Sequence, residues 1–338
     1  MNTLQTTLSS FIIDEQRRLG RQASGQFTGL LNDIGIACKS IAALVNKGEL
    51  AGVLGVAGSE NVMGDAQKKM DLIANDLFIN ALQYNGHCAG MASEELDEIL
   101  TLPEGLVRGR YLVTFDPLDG SSNMDINIDV GAIFSILKAP ESGEDPTAED
   151  FARPGVEQVA AGYCLYGPAS MFVLTTGNGV NGFTLDTSIG EFILTHPDMK
   201  IPETTSEFSI NASNQRHWEP AVQRYIADCV AGETGPLKKN YNMRWVAAMV
   251  GEIHRILCRG GVFLYPIDER NRKAGGKLRL LYEGNPMAMI VEQAGGLADT
   301  GYGRIMEVIP NGDPHQRVAV IMGSKQEVET ILRYHEAG

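Results

Sequence analysis

The chain has 338 residues, 43% of them hydrophobic and 21% charged, enough for a substantial core and for one large domain or two. Its 28 Lys and Arg stand against 42 Asp and Glu, a formal net charge of -14, which argues against nucleic acid as the main partner because phosphate backbones need clustered cations. An anionic ligand would need local positive charge or a metal ion to offset this field. The N-terminus, MNTLQTTLSSFIIDEQRRLG, is polar and shows no signal-peptide pattern, and no run of ~18 apolar residues is present to span a bilayer. The five cysteines (Cys38, Cys88, Cys164, Cys229, Cys258) are odd in number, widely spaced and without a CxxC pair, so reduced thiols in a cytoplasmic protein are expected. Cys164 and Cys258 lie in apolar strings and read as core residues.

In chain order, residues 4–19 and 28–46 read as helices, the second with Leu30, Leu31, Ile34, Ala37, Ile41, Ala42 and Val45 at spacings of three and four. A third helix is expected over 67–84, with Met70, Ile73, Leu77 and Ala81 on one stripe. Strand-like runs follow at 110–115, 130–138, 158–166 and 169–176, several flanked by Gly, Pro or Asn. The acidic, Pro- and Gly-containing stretch 139–155 reads as a surface loop. A composition break at THPDMKIPETTSE marks the boundary between a domain over 1–197 and a second over 198–338. Beyond it come a strand (208–211), helices near 218–230 and 243–257, a strand (261–266), and KLRLLYEGNPMAMIVEQAGG, read as a strand, a capped start and an apolar helix. Strands mixed with helices point to a layered α/β protein. His254 lies on an apolar helix and reads as a satisfied core histidine.

Acids recur where these elements end. Asp65 precedes the third helix and Asp71 follows six residues on; Glu94 and Glu95 form ASEEL; Asp116 and Asp119 sit in FDPLDGSSN; Glu283 follows a strand-like run in LLYEGNP. Loops at sheet edges are where catalytic groups gather. Carboxylates brought together repel and raise one another's pKa unless a cation balances them, and magnesium binds carboxylates, waters and substrate phosphate together. A turn can aim both DPLD side chains to one side, Pro117 stiffens it, and Gly120-Ser121-Ser122 allows close approach of an anion to backbone N–H groups and hydroxyls. Asp and Ser also favour turns and helix caps for local reasons alone, so the weight comes from four acidic sites and a hydroxyl turn in one chain.

Five strings, GSENVMGDAQKKMD, ASEEL, FDPLDGSSNMDIN, GGVFLYP and GKLRLLYEGNPMAMIVEQAGG, together resemble class I fructose-1,6-bisphosphatase, from about residue 8 to near the C-terminus. The shorter GD, DPLDGS and late-acid pattern is similar to the wider lithium-sensitive phosphatase superfamily, inositol monophosphatases included. The resemblance implies a two-domain α/β/α/β/α sandwich that removes the C1 phosphate of fructose 1,6-bisphosphate in gluconeogenesis or the Calvin cycle, with Mg2+ as cofactor and Mn2+ or Zn2+ as substitutes. It assigns Glu94, Asp116, Asp119 and Glu283 to the metal, with Asp65 and the Leu118 carbonyl as further ligands. Asp71 and Glu95 match the pair that takes the proton from the attacking water, and Ser121, Ser122 and Arg279 the cradle of the phosphate that leaves. Asn211, Tyr265 and Lys277 match binders of the phosphate that stays, and Arg244 an arginine that crosses into the neighbouring subunit's site, implying a homo-oligomer, most simply a tetramer. Lys277, Arg244 and Arg279 supply the positive charge the chain otherwise lacks.

Departures fall outside the acidic set. Asn214 stands where a tyrosine is usual in the family, and Trp245 where a tyrosine is common, so the preferred bisphosphate is open between fructose 1,6- and sedoheptulose 1,7-bisphosphate. An inositol-phosphate phosphatase is disfavoured by KLRLLYEGNP and the Arg244 segment, and a catalytically silent sugar-phosphate or AMP sensor by the water-activating acids. In the family AMP binds the start of an N-terminal helix; the matching residues are Ser24, Gly25, Gln26 and Thr28, with Arg110 and Tyr111, and they equally suit an ordinary helix start.

Overall fold

The computed structural model describes residues 5–18, 25–60 and 66–337. Helices α1 (Leu8–Arg18) and α2 (Gln26–Val45) open it, and the expected stripe of α2 is buried from Leu30 to Ala42. By length and composition α2 could cross a membrane, but half of that stretch is buried against the protein core, as in the central helix of any folded domain. A hairpin of β1 (Val56–Glu60) and β2 (Ala66–Lys68) leads into α3 (Lys69–Gln83). Asp71 in the first turn of α3 accepts the Lys68 backbone N–H at 2.8 Å, the position where a helix leaves its amides without partners.

The main sheet contains β3 (Cys88–Ser93), β4 (Leu100–Thr101), β5 (Tyr111–Asp119), β6 (Val130–Lys138), β7 (Ala160–Tyr166), β8 (Ser170–Thr175), β9 (Val180–Asp186) and β10 (Glu191–His196), in the order 10-9-8-7-6-5-3-4. Only β3 and β5 run parallel; the other neighbours are antiparallel. The central strands are buried on both faces, which explains their nearly continuous apolar sequences. Their period of two sorts the side chains: Phe134, Cys164 and Phe172 join the core under α1–α3, while Ile133, Tyr163 and Val173 face the opposite way. The sequence does not announce β9 and β10, because Asn181 and Gly182 interrupt the alternation and the outermost strand is only half-buried; pairing to β8 recruits them. The stretch 139–155 is less of a loop than expected. Thr147 and Asp150 form a capping box around a single turn, α4 (Ala148–Phe151), which buries Phe151, and Pro146 packs against Gly90.

After the main sheet come β11 (Glu207–Ser209), α5 (Pro220–Ala231), β12 (Asn242–Met243), α6 (Met249–Arg259), β13 (Val262–Tyr265), β14 (Leu278–Arg279), α7 (Asn285–Gln293), β15 (Leu297–Asp299), β16 (Arg317–Val318), β17 (Val320–Gly323) and α8 (Lys325–Glu336). A five-stranded sheet runs 12-11-13-17-15, with β14 and β16 a separate antiparallel pair. Alternation again distributes the strands: Phe263, Val320 and Met322 pack with α6 and α7 against the main sheet, whereas Val262, Leu264 and Ile321 pack with α5 and α8. The result is the five-layer α/β/α/β/α sandwich. Cys258 corrects one expectation: it is exposed at the end of α6, while the other four thiols are buried. His254, half-buried, faces the Tyr163 hydroxyl at 2.8 Å.

Candidate active site

The two aspartates of DPLD end strand β5. On a regular strand residues three apart face opposite ways, but the ladder slips here: Asp116 pairs with Ile133 and Asp119 with Gly131, so one extra residue is absorbed. That bulge turns both carboxylates to the same face. Glu283 reaches the same point from Leu280–Gly284, one turn of wide π-type helix joined to α7. One carboxylate oxygen from each of Asp116, Asp119 and Glu283 lies within 4.8 Å of the others. Glu94 continues β3 by donating its backbone N–H to the Phe115 carbonyl at 3.1 Å, and its side chain meets Arg279 Nη1 at 2.6 Å.

Burial and mutual repulsion set the electrostatics. Burial, then the charges of Glu94, Asp119 and Glu283, hold Asp116 well above the usual carboxylate range. Burial pushes Asp119 up to about 7 despite N–H groups of Val250 and Met249 that favour its charged form. Glu283 is pushed up to about 8 by burial and Glu94, with Arg279 pulling the other way. Asp71 rises to about 6, chiefly by burial, with Glu94 adding to the rise and the Lys68 N–H and Ser121 hydroxyl opposing it. Three buried carboxylates converging on one point, each raised first by burial and then by the charge of Glu94, fit a hard divalent cation with oxygen ligands.

Asp119 also ties this centre to the second half of the chain. Its Oδ2 accepts the Val250 N–H at 2.7 Å, in the first turn of α6. Gly120 is required at the next position: its φ is 75°, and a Cβ there would lie 2.5 Å from the Ala248 side chain. Asn123 donates to the Val246 carbonyl at 2.9 Å. Ser121, half-buried, and Ser122, exposed, open the short 3-10 turn between these anchors. Glu95, half-buried, follows Glu94 and donates its backbone N–H to Ser93 Oγ at 3.2 Å. Asp65 lies outside the described residues.

Asn211, Tyr265 and Lys277 line one cavity of about 420 Å³, together with Asn214, Arg270 and Arg317. Sequence reasoning missed both arginines. Arg317 is brought there by β14–β16 pairing across 38 residues of chain, which no local pattern signals. Arg244 does not line this cavity within one chain; half-exposed, it meets Glu207 at 3.4 Å, and Glu207 also binds Arg255 and Arg259, each at 2.7 Å. Trp245 stands behind the cavity, its ring 6.3 Å from that of Tyr265 and 6.1 Å from that of Phe263.

At the start of α2, Gly25 adopts the left-handed conformation and Thr28 donates its hydroxyl to Gln16 at 3.2 Å. Tyr111 packs its ring 5.5 Å from Phe27, and Arg110 is exposed beside it. Gln26 opens the helix. Ser24 lies outside the described residues.

Comparison with known proteins places this geometry. The model of the fructose-1-6-bisphosphatase N-terminal domain matches residues 6–197, and that of the C-terminal domain matches 201–336. The chain is 60% identical to the class 1 fructose-1,6-bisphosphatase of Halorhodospira halophila over 336 residues, 98% of this chain and 99% of that protein. Two crystal structures of Leishmania major fructose-1,6-bisphosphatase superpose on it over 98% of this chain and 99% of theirs. The holo form gives a TM-score of 0.90 at 41% identity and the apo form 0.86 at 39%. With both domain models matched end to end and a full-length relative at 60% identity, the chain belongs to the class 1 fructose-1,6-bisphosphatase family.

Proposed function

We propose that this enzyme hydrolyses the C1 phosphate of fructose 1,6-bisphosphate to fructose 6-phosphate and inorganic phosphate, with Mg2+ as the working metal. The observation that carries the reading is a buried carboxylate cluster and a cation-lined cavity, linked along the chain by the three residues from Lys277 to Arg279. Asp116, Asp119, Glu283 and Glu94 would hold the metal, with Asp65 and the Leu118 carbonyl completing its sites. When bound, a divalent cation neutralises the phosphate being cleaved and lowers the pKa of an attacking water. Asp71 and Glu95 take the proton from that water; a carboxyl poised near 6, as Asp71 is, exchanges protons readily near neutral pH. Water oxygen adds to phosphorus and the bond to the C1 oxygen breaks; that oxygen leaves as an alkoxide that takes a proton from solvent, and the carboxylates return the proton of the attacking water to solvent. Arg279, Ser121 and Ser122 bind the departing phosphate, while Asn211, Tyr265 and Lys277 hold the one that stays.

Arg244, half-exposed and paired among the described residues to Glu207 at 3.4 Å, is available to reach a second copy, which supports a homo-oligomer, most simply a tetramer. We place the domain boundary near residue 198, between the last main-sheet strand at His196 and the first small-sheet strand at Glu207. The five free thiols support a reducing, cytoplasmic setting. A role for Gly25, Gln26, Thr28, Arg110 and Tyr111 in AMP binding is tested directly by adding AMP to the assay. A second reading has its own observation: Asn214, smaller than a tyrosine, lines the distal cavity, which favours a longer, seven-carbon sugar as an alternative substrate. Phosphate release from fructose 1,6-bisphosphate, sedoheptulose 1,7-bisphosphate and inositol 1-phosphate, with Mg2+ and with chelator, tests both. Chelator-sensitive release from the fructose substrate is expected. Failure on all three, with folded protein and metal, would leave a silent sensor.

A further inference from the structure

Strands β14 and β16 place two arginines directly opposite each other, Arg279 facing Arg317. Like charges at such a position destabilise a strand pair unless each finds an anion. Arg279 has one, Glu94 at 2.6 Å. Among the described residues no carboxylate lies within ion-pair distance of Arg317, and its Nε is buried without a hydrogen-bond partner. A guanidinium N–H left unpaired away from water is costly, so its retention asks for a reason, and a charge the chain itself leaves uncompensated is one.

Its surroundings say what that is. Arg317 lines the cavity of about 420 Å³ beside Lys277, which likewise has no carboxylate partner among the described residues, whereas the Arg270 guanidinium is already engaged by Asp268 at 2.8 Å. Backbone packing brings the two chain segments that carry them side by side. Gly275 has a φ of 84°, and a Cβ on Gly276 would lie 2.1 Å from the Val318 carbonyl carbon, so only glycines let the turn before Lys277 lie flat on β16. In a protein of net charge -14, a cavity lined by two cations without a carboxylate partner among the described residues suits a multivalent anion. Arginine's planar fork suits phosphate in a way a single ammonium does not.

We infer that Arg317 contacts the phosphate that remains on the sugar and so selects bisphosphates over monophosphates. This deepens the proposed function and rests on it. The test is Arg317→Met, assayed for kcat, KM and thermal stability, with inhibition by fructose 6-phosphate as a binding readout. Losing a charge-assisted contact raises KM by about 10–100-fold. The inhibition constant for fructose 6-phosphate should rise in parallel and kcat should stay within about threefold. Because the methionine removes a buried unpaired donor facing Arg279, Tm is expected to stay level or rise, the opposite of what a purely structural arginine would show. An unchanged KM, or a fall in Tm with kcat and KM moving together, overturns the inference. Inactivity of the unmodified enzyme on fructose 1,6-bisphosphate overturns the proposed function instead, so the two failures are distinguishable.

Discussion

The two ends of the site are frustrated in opposite senses. At the carboxylate end, Asp116, Asp119 and Glu283 are all buried, crowd one point and have their pKa raised by burial and by the charge of Glu94. At the cavity end, Lys277 and Arg317 line one cavity without a carboxylate partner among the described residues. Between them Glu94 and Arg279 neutralise each other at 2.6 Å. The contrast teaches how an acidic protein could handle a substrate with two phosphates. On the proposed reading, negative charge is concentrated where a cation would bring one phosphate in, and positive charge is kept bare where the other would be held directly.

Four measurements would break or sharpen that contrast. The largest effect is expected at the carboxylate end from Asp119→Asn, which keeps an acceptor for the Val250 N–H but removes a charge. Turnover should fall about a thousandfold, since metal stabilisation is worth several kcal/mol, while the chelated protein should gain in Tm because a repelling charge is gone. Unaltered turnover at ordinary metal concentration would remove Asp119 from the metal set. Next, Glu95→Gln should cost about a hundredfold or more in kcat while substrate and metal still bind; near-normal turnover would exclude it as a base.

Arg244→Ala moves to the cavity end and should raise KM for the bisphosphate about tenfold with a smaller change in kcat. Sedimentation in parallel would report whether the oligomer survives. The same KM as the parent enzyme would dismiss the shared-site picture.

The fourth, which leaves activity aside, is a pH dependence of stability without metal. Asp119 and Glu283 have folded-state pKa values raised from 3.8 and 4.5 to about 7 and about 8. Below the ordinary values both folded and unfolded chains hold these protons and the contribution is fully present. As pH climbs toward 8 the unfolded chain has already released them, the folded chain must release them too, and the stabilisation is lost. Thermal denaturation with chelator should therefore show Tm falling from pH 5 to pH 8, with added metal flattening the fall; a Tm that rises across that window without metal would contradict the crowding of these carboxylates.

Much of this site was legible in sequence because its parts are local. The DPLD turn, the ASEEL pair and the LLYEGNP acid each announce a charged group at the end of an apolar element, and chain order alone suffices to suspect a metal. What a local reading cannot supply is which end of which strand a distant residue reaches. Arg317 and Arg270 escaped notice for that reason, as did the role of Asp119 at the first turn of α6 and the partnership of Arg244 with Glu207. Cys258 was misjudged because an apolar neighbourhood in sequence says nothing of which helix face meets solvent.

Period and composition by themselves determined the helices over α2 and α3, the buried central strands and the acidic character of the site. Hydrophobic periodicity and turn chemistry act over a few residues and need no partner. Tertiary structure alone decided the β5 bulge that turns Asp116 and Asp119 to one face, the recruitment of β9 and β10, and the meeting of Arg279 with Arg317. Those outcomes depend on strand register, which the packing of both sheet faces specifies only once the layers have come together.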